Sequence, residues 1–427
     1  MRVKLAYGEG HLEVPFPDSC TTVIEPTHKP GLSDERAAVI EALTNPIAAK
    51  PLREQLQPSS RVTIVFTDIT RATPNHVLIP WLLEHISSVV PRENITLLNA
   101  LGTHRSNTRA ELEKLLTPEV VANYRVLNHE PENLDAHIRV GTTREGVPAL
   151  INRHVVEADV RIITGFIEPH FFAGFSGGPK GIMPGVAHGQ TVMSNHGARN
   201  IGHPNSAFGI TVGNPIWEEM RDIALSVGPS FLLNVALNDS RQITGVFAGD
   251  LIAAHQVGVE FVKSAAMQAV AEPFDVVVTT NSGYPLDQNL YQGIKGLSAG
   301  VRILKPGGTL ILAAECREGV PANSPMDQLL RSCSSSEEIL GLLATPGFSR
   351  PEQWQAQIQA LIQRKARVLV YSSLADEVIQ SAHLMPCKDI AAEVQRTLDE
   401  LGPAARAAVL PQGPLTIPYL LNESMRP

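Results

Sequence analysis

The sequence predicts an α/β protein: two α/β domains with mainly parallel sheets flanked by helices, and an active site in the cleft between them. Three observations carry this expectation. Short β-branched runs alternate with longer amphipathic stretches along most of the chain, the pattern of strands joined by helical crossovers. The short runs are apolar almost throughout, as in strands buried on both faces. Polar and titratable residues follow several of these runs directly, and open α/β sheets bind ligands beyond the carboxyl ends of their strands.

Taken in order, residues 61–66 ("RVTIVF") read as a buried strand and 75–90 as the helix that follows. Residues 94–102 form the next strand and 108–116 the next helix, with Thr108 as N-cap and Glu111 three residues on. Residues 158–167 ("ADVRIITGFI") are a third strand; 275–280, 307–314 and 366–373 begin a second series. Between the series, "DLIAAHQVGVEFVKSAAMQAVAEPF" reads as one long helix ending at a proline. The expected division is therefore an N-terminal domain over 1–272 and a C-terminal domain over 273–402. The Pro-rich tail, 403–427, reads as irregular chain packing back on the first domain.

Composition excludes several function classes. With 43% hydrophobic and 18% charged residues the chain can bury a sizeable core. A net charge of −8 without basic clusters argues against nucleic acid as a partner. No uncharged apolar stretch reaches the length of about 18 residues that a membrane span needs. The first residues lack the apolar core of a signal peptide. Cys20, Cys316, Cys333 and Cys387 are scattered without metal-ligand spacing, which suits a reducing cytoplasm.

The chemistry gathers after the strands. Thr67, Asp68, Thr70 and Arg71 follow the first, Thr103, His104 and Arg105 the second, and Glu168 and His170 the third; Asn281 and Ser282 follow 275–280. Then comes "FSGGPKGIMPG" (175–185), with Lys180 among glycines and prolines. It has neither Walker A nor Rossmann spacing. A lysine there can bind phosphate, act as a desolvated base or nucleophile, or carry a cofactor, and the residues alone leave these open. His196 lies beyond a short helical stretch; with His104 and His170 it would make a metal or acid/base centre, though without the local spacing of a zinc motif. In 282–297, written as a helix, Tyr291 and Lys295 share a face, as do Gln292 and Lys295. Trp354 reads as packing or as a substrate lid.

Taken together, "DITR", "ALGTHR", "EPHFFAGFSGGPKGIMPG", "SNH" and "LDQNLYQGIKG" resemble, in that order, the nickel-dependent lactate racemase family. The resemblance implies a racemase or epimerase of a 2-hydroxy acid. It implies a covalently attached cofactor, the nickel-pincer nucleotide (a pyridinium-3,5-bisthiocarboxylic acid mononucleotide holding Ni), tethered to Lys180, with His196 completing the nickel coordination and Asp68 and Thr70 at the cofactor. His104 and His170 are implied as alternating acid and base during reversible hydride transfer. Arg71, Tyr291, Gln292, Lys295 and Trp354 are implied to bind the substrate. Proteins that make and load the cofactor are implied partners, and the oligomeric state is left open. Ser206-Ala207-Phe208 departs from the Asn-Ala-Arg type of run expected there. Two other readings remain beside it: a zinc-dependent hydrolase built on His104, His170 and His196, and a non-catalytic nucleotide- or phosphate-binding module in which Lys180 contacts phosphate.

Overall fold

Alternating burial along apolar strands builds the protein around two sheets. In the first, Val65 and Ile163 point into one core cluster while Ile64, Phe66 and Ile162 point into another, the period-2 consequence of the pleat. In the second, Val277, Leu310 and Leu312 face one cluster while Val276, Val278 and Ile311 face another. Both faces of each sheet are therefore covered, which is why the strands are apolar without alternation. The structure is a computed structural model and describes residues 1–421.

The first sheet has six strands in the spatial order Ile243–Asp250, Phe231–Leu237, Val160–Phe166, Val62–Thr67, Ile95–Ala100, Arg125–Asn128. All neighbours are parallel except the first two, which are antiparallel. From Val62–Thr67 the chain proceeds to one side, then returns to Val160–Phe166 on the other. The order thus reverses between these two strands, at the switch point where α/β sheets open a crevice. The second sheet is parallel throughout, in the order Met385–Pro386, Arg367–Tyr371, Leu304–Ala313, Phe274–Thr280, Ala407–Leu410, Thr21–Val23.

The elements match the expected series with small shifts at their ends. The helix Arg109–Leu116 starts with a full capping box between Thr108 and Glu111. The helix expected over 75–90 stops at Ile86. The long helix read up to Pro273 stops at Ala266. Beyond it Met267–Val270 is a strand, paired in parallel with Ile417–Leu420. The tail is less irregular than its prolines imply: Ala407–Leu410 is an inner strand of the second sheet, between Phe274–Thr280 and Thr21–Val23.

Both ends of the chain thus differ from the expected division. The hairpin Arg2–Tyr7/Gly10–Pro15 and the Phe16 that follows it pack Val3, Leu5, Val14 and Phe16 into one cluster with Val276 and Val278 of the second sheet. Ala407–Leu410 of the tail joins the second sheet, while Ile417–Leu420 pairs with Met267–Val270 and Ile417 enters the first unit's core. The tail's residues 422–427 lie outside the described residues. The physical reason is that Phe274–Thr280 has an open edge opposite Leu304–Ala313, which Ala407–Leu410 of the tail fills, and Thr21–Val23 then pairs with the outer edge of Ala407–Leu410.

The helix Leu290–Gly300 follows Phe274–Thr280 and lies close on it because it is rich in glycine. A Cβ on Gly296 would sit 2.1 Å from the Thr280 carbonyl oxygen. Gly296→Ala is expected to cost about 1–3 kcal/mol by overpacking, seen as a lower urea midpoint with an unchanged slope.

Candidate active site

One cavity lies at the switch point of the first sheet and is closed by the helix Leu290–Gly300 and the start of the helix Gln353–Gln363. It brings together Asp68, Arg71, His104, Glu168, His170, Lys180, His196, Tyr291, Gln292, Lys295 and Trp354, residues from six segments spread over nearly 290 positions. Of the predicted site residues only Thr70 is not on its wall.

Thr70 stands behind Asp68. Its hydroxyl and its backbone N–H both donate to Asp68 Oδ1, at 2.6 and 2.8 Å. The other oxygen of Asp68 accepts from His104 Nδ1 at 2.6 Å. Burial opposes ionisation of Asp68, but the His104 bond and charge, with Arg71 and Thr70, outweigh it and hold the carboxyl well below the usual range. The ionised Asp68 therefore fixes the tautomer of His104: Nδ1 carries the proton and Nε2 keeps its lone pair.

His170 is set the other way. Its Nδ1 accepts the backbone N–H of Ala173 at 3.2 Å, so the neutral ring carries its proton on Nε2. Burial first, then the charges of Lys180, Lys295 and Arg71, push its pKa well below the ordinary histidine value. The ring packs edge-on against Phe172 at 4.6 Å, and Phe172 in turn meets the His196 ring at 5.0 Å. Phe172 thus stands between the two imidazoles. With His104 committed to Asp68, the three histidines do not form a three-ligand centre, and among the described residues no group of three or more His, Cys, Asp or Glu side chains is arranged to hold a metal ion. This removes the geometry the zinc-hydrolase reading needs.

Lys180 sits in the tight turn Gly178–Gly181. The glycines here line the cavity and also let the turn pack closely. A Cβ on Gly178, which has φ +54°, would meet the His255 ring at 2.5 Å, and one on Gly181 would meet Ile163 at 2.4 Å. The turn is pressed onto the sheet and the helix Leu251–Ala266, and Asn234 Oδ1 accepts the Gly178 N–H at 2.8 Å. The lysine is delivered over the cavity, with Nζ 5.9 Å from the Phe172 ring centroid. Burial, then Arg71 and Lys295, lower its pKa to about 7. Burial and Arg71 likewise bring Lys295 down to about 8.

His196 caps the C-terminus of the helix Gly189–Asn195. It is buried, its Nδ1 has no hydrogen-bond partner, and burial with the charge of Lys180 lowers its pKa to about 3. It is therefore a neutral imidazole, the form that ligates metals. On the facing helix, Trp354 Nε1 donates to the Tyr291 hydroxyl at 3.1 Å, and burial raises the Tyr291 pKa, so the phenol stays protonated.

Three wall residues, Glu168, Asn234 and Gln355, were given no role from the sequence. Glu168 is half-buried, and burial raises its pKa against the pull of Lys295 and Arg71; its place directly after a strand was a usable signal. Asn234 is a polar residue inside the apolar run "FLLNVAL", also a readable sign. Gln355 gave none. Conversely, Asn281 is structural: it accepts the Gly296 N–H and donates to the Leu286 carbonyl.

Residues 7–209 match the family model of the lactate racemase N-terminal domain, and 269–417 that of the lactate racemase C-terminal domain. The chain belongs to the lactate racemase family. It is 35% identical over 381 residues to the lactate racemase of Lactiplantibacillus plantarum, covering 89% of this chain and 90% of that one. It is 34% identical over 419 residues to the lactate racemase of Thermoanaerobacterium thermosaccharolyticum, covering 96% and 97%. The solved structure of the lactate racemase apoprotein from T. thermosaccharolyticum superposes with a TM-score of 0.91 at 32% identity, covering 98% of this chain and all of that one. Among the described residues no helix is long and apolar enough to cross a membrane.

A lysine with pKa about 7 is half neutral at neutral pH. Acylation of Lys180 by a small amine-reactive reagent, followed by peptide mass spectrometry, is expected to rise to half its maximum near pH 7 and then level. Exposed lysines are expected to keep rising toward about pH 10.4.

Proposed function

We propose that the protein racemises a 2-hydroxy acid, with lactate as the first candidate, using a nickel-pincer nucleotide joined to Lys180. The observation that carries this reading is the pairing of a half-buried lysine, half neutral at neutral pH, with a neutral His196 whose Nδ1 is unpartnered, on the wall of one cavity. A neutral amine can form the covalent tether, and a neutral imidazole can complete the metal's coordination. The residues present therefore fit the group. When bound, it supplies exchange of the α-hydrogen as hydride, which takes the 2-hydroxy acid to the planar 2-oxo acid and back.

The chain's own residues do the rest. Arg71 and Lys295 hold the substrate carboxylate, Arg71 through a planar fork. Tyr291, Gln292 and Trp354 shape the pocket around it. His104, oriented by Asp68, presents the Nε2 lone pair that takes the hydroxyl proton. His170 presents Nε2–H as a donor to the substrate oxygen. For the two rings to exchange roles with the opposite enantiomer, His170 must give up the N–H of Ala173. Asp68, on the cavity wall, reaches the reaction through His104, and Thr70, behind it, through Asp68. Proteins that synthesise and load the cofactor act before this one, in the cytoplasm.

Mass spectrometry of the Lys180 peptide, from cells that also make the cofactor, is expected to show an adduct alongside about one nickel per chain. Unmodified Lys180 in active protein would overturn the reading. Asp68→Asn leaves His104 without its anionic partner; kcat for racemisation, followed by chiral chromatography, is expected to fall by about 10²-fold or more, with a much smaller change in KM.

A further inference from the structure

The helix Gln353–Gln363 carries glutamines at 353, 355, 357, 359 and 363, and the amides of the last four each donate to a main-chain carbonyl of another segment. Gln355 donates to the Tyr291 carbonyl, Gln359 to that of Ala382 and Gln363 to that of His383. Gln357 is different: its Nε2 donates at 2.8 Å to the Ala198 carbonyl, so it alone of these amides reaches across to the first unit. Its Oε1 is buried without a partner, as are those of Gln355 and Gln359. Such an orphan acceptor costs free energy, so the position carries a cost that an apolar residue would avoid. The contact is close, since a Cβ on Gly202 would lie 3.3 Å from the same Nε2.

Ala198 is two residues beyond His196. Trp354, three residues before Gln357 and so on the same face of the helix, lays its ring against the His196 ring at 5.1 Å, with the planes 72° apart. Phe172 meets the same imidazole at 5.0 Å. The imidazole itself makes no Nδ1 hydrogen bond. A metal-ligating histidine usually owes its orientation to such a bond, and here packing and the main chain must supply it.

We propose that Gln357 is a positioning residue for His196. Its amide fixes the main chain beyond the imidazole while Trp354, one helical turn away, fixes the ring. The ligand histidine of the first unit is thus set by a helix of the second. The significance of this for the metal rests on the reading of His196 as its ligand, and the test keeps the two separate.

In the metal-free full-length chain, carbethoxylation of His196 is followed by peptide mass spectrometry, with His104, whose side chain is 31% exposed, as internal reference. Gln357→Leu removes the donor at similar volume. It is expected to raise the His196 rate roughly 3- to 10-fold, the equivalent of one lost hydrogen bond, with His104 unchanged. An unchanged His196 rate, or an equal rise at both histidines, would overturn the proposal. In protein carrying the Lys180 adduct, the same variant is expected to release nickel faster to a chelator, with KM for the 2-hydroxy acid unchanged. A faster His196 reaction with unaltered nickel release would leave Gln357 in its positioning role and refute His196 as the nickel ligand.

Discussion

Three cationic side chains, Arg71, Lys180 and Lys295, share one cavity in which, among the described residues, Asp68 and Glu168 are the only anions on the wall. Burial and mutual repulsion act in the same direction there, and both favour loss of a proton. Arginine does not yield, so the lysines do. This one constraint makes Lys180 nucleophilic near neutral pH, keeps His170 and His196 neutral, and leaves an excess positive field that suits a carboxylate. Asp68 escapes that competition because His104, Thr70 and Arg71 already hold it ionised.

The fold makes such a cluster affordable. The charges stand at a switch point, where parallel strands end and the chain diverges to two sides, so the loops that carry them are held by rigid strands on one side only. Loops fixed by Asp68, by the Thr70 hydroxyl and by the close seating of Gly178 and Gly181 cannot relax away from one another. The second sheet contributes from across the cleft through the helix Leu290–Gly300, capped by Asn289, and through Gln353–Gln363. Neither unit holds all the groups.

Much of the first sheet and of the site was legible in the sequence because strands buried on both faces leave an unmistakable apolar run, and the residue after such a run is confined to one edge. That is why Asp68, His104 and His170 could be named from position. Local patterns failed where pairing partners are distant. Ala407–Leu410 became an inner strand despite its flanking prolines, because Phe274–Thr280 offered it an open edge. Met267–Val270 left the helix it seemed to continue because Ile417–Leu420 offered it a ladder. The need for glycine around Lys180 was illegible for the same reason: the atoms that exclude a Cβ belong to Ile163 and His255, far away in the chain.

The sequence by itself determined which segments are strands and helices, which side-chain types stand at the strand ends, and the family to which these motifs belong. These follow from local periodicity, turn chemistry and order along the chain. Only the tertiary structure decided that Thr70 serves Asp68 and lies off the cavity wall, that Phe172 packs against both His170 and His196, that His104 and His170 carry their protons on different nitrogens, and that Gln357 reaches the Ala198 carbonyl from the other unit. Each of these depends on distances between segments that no local pattern encodes.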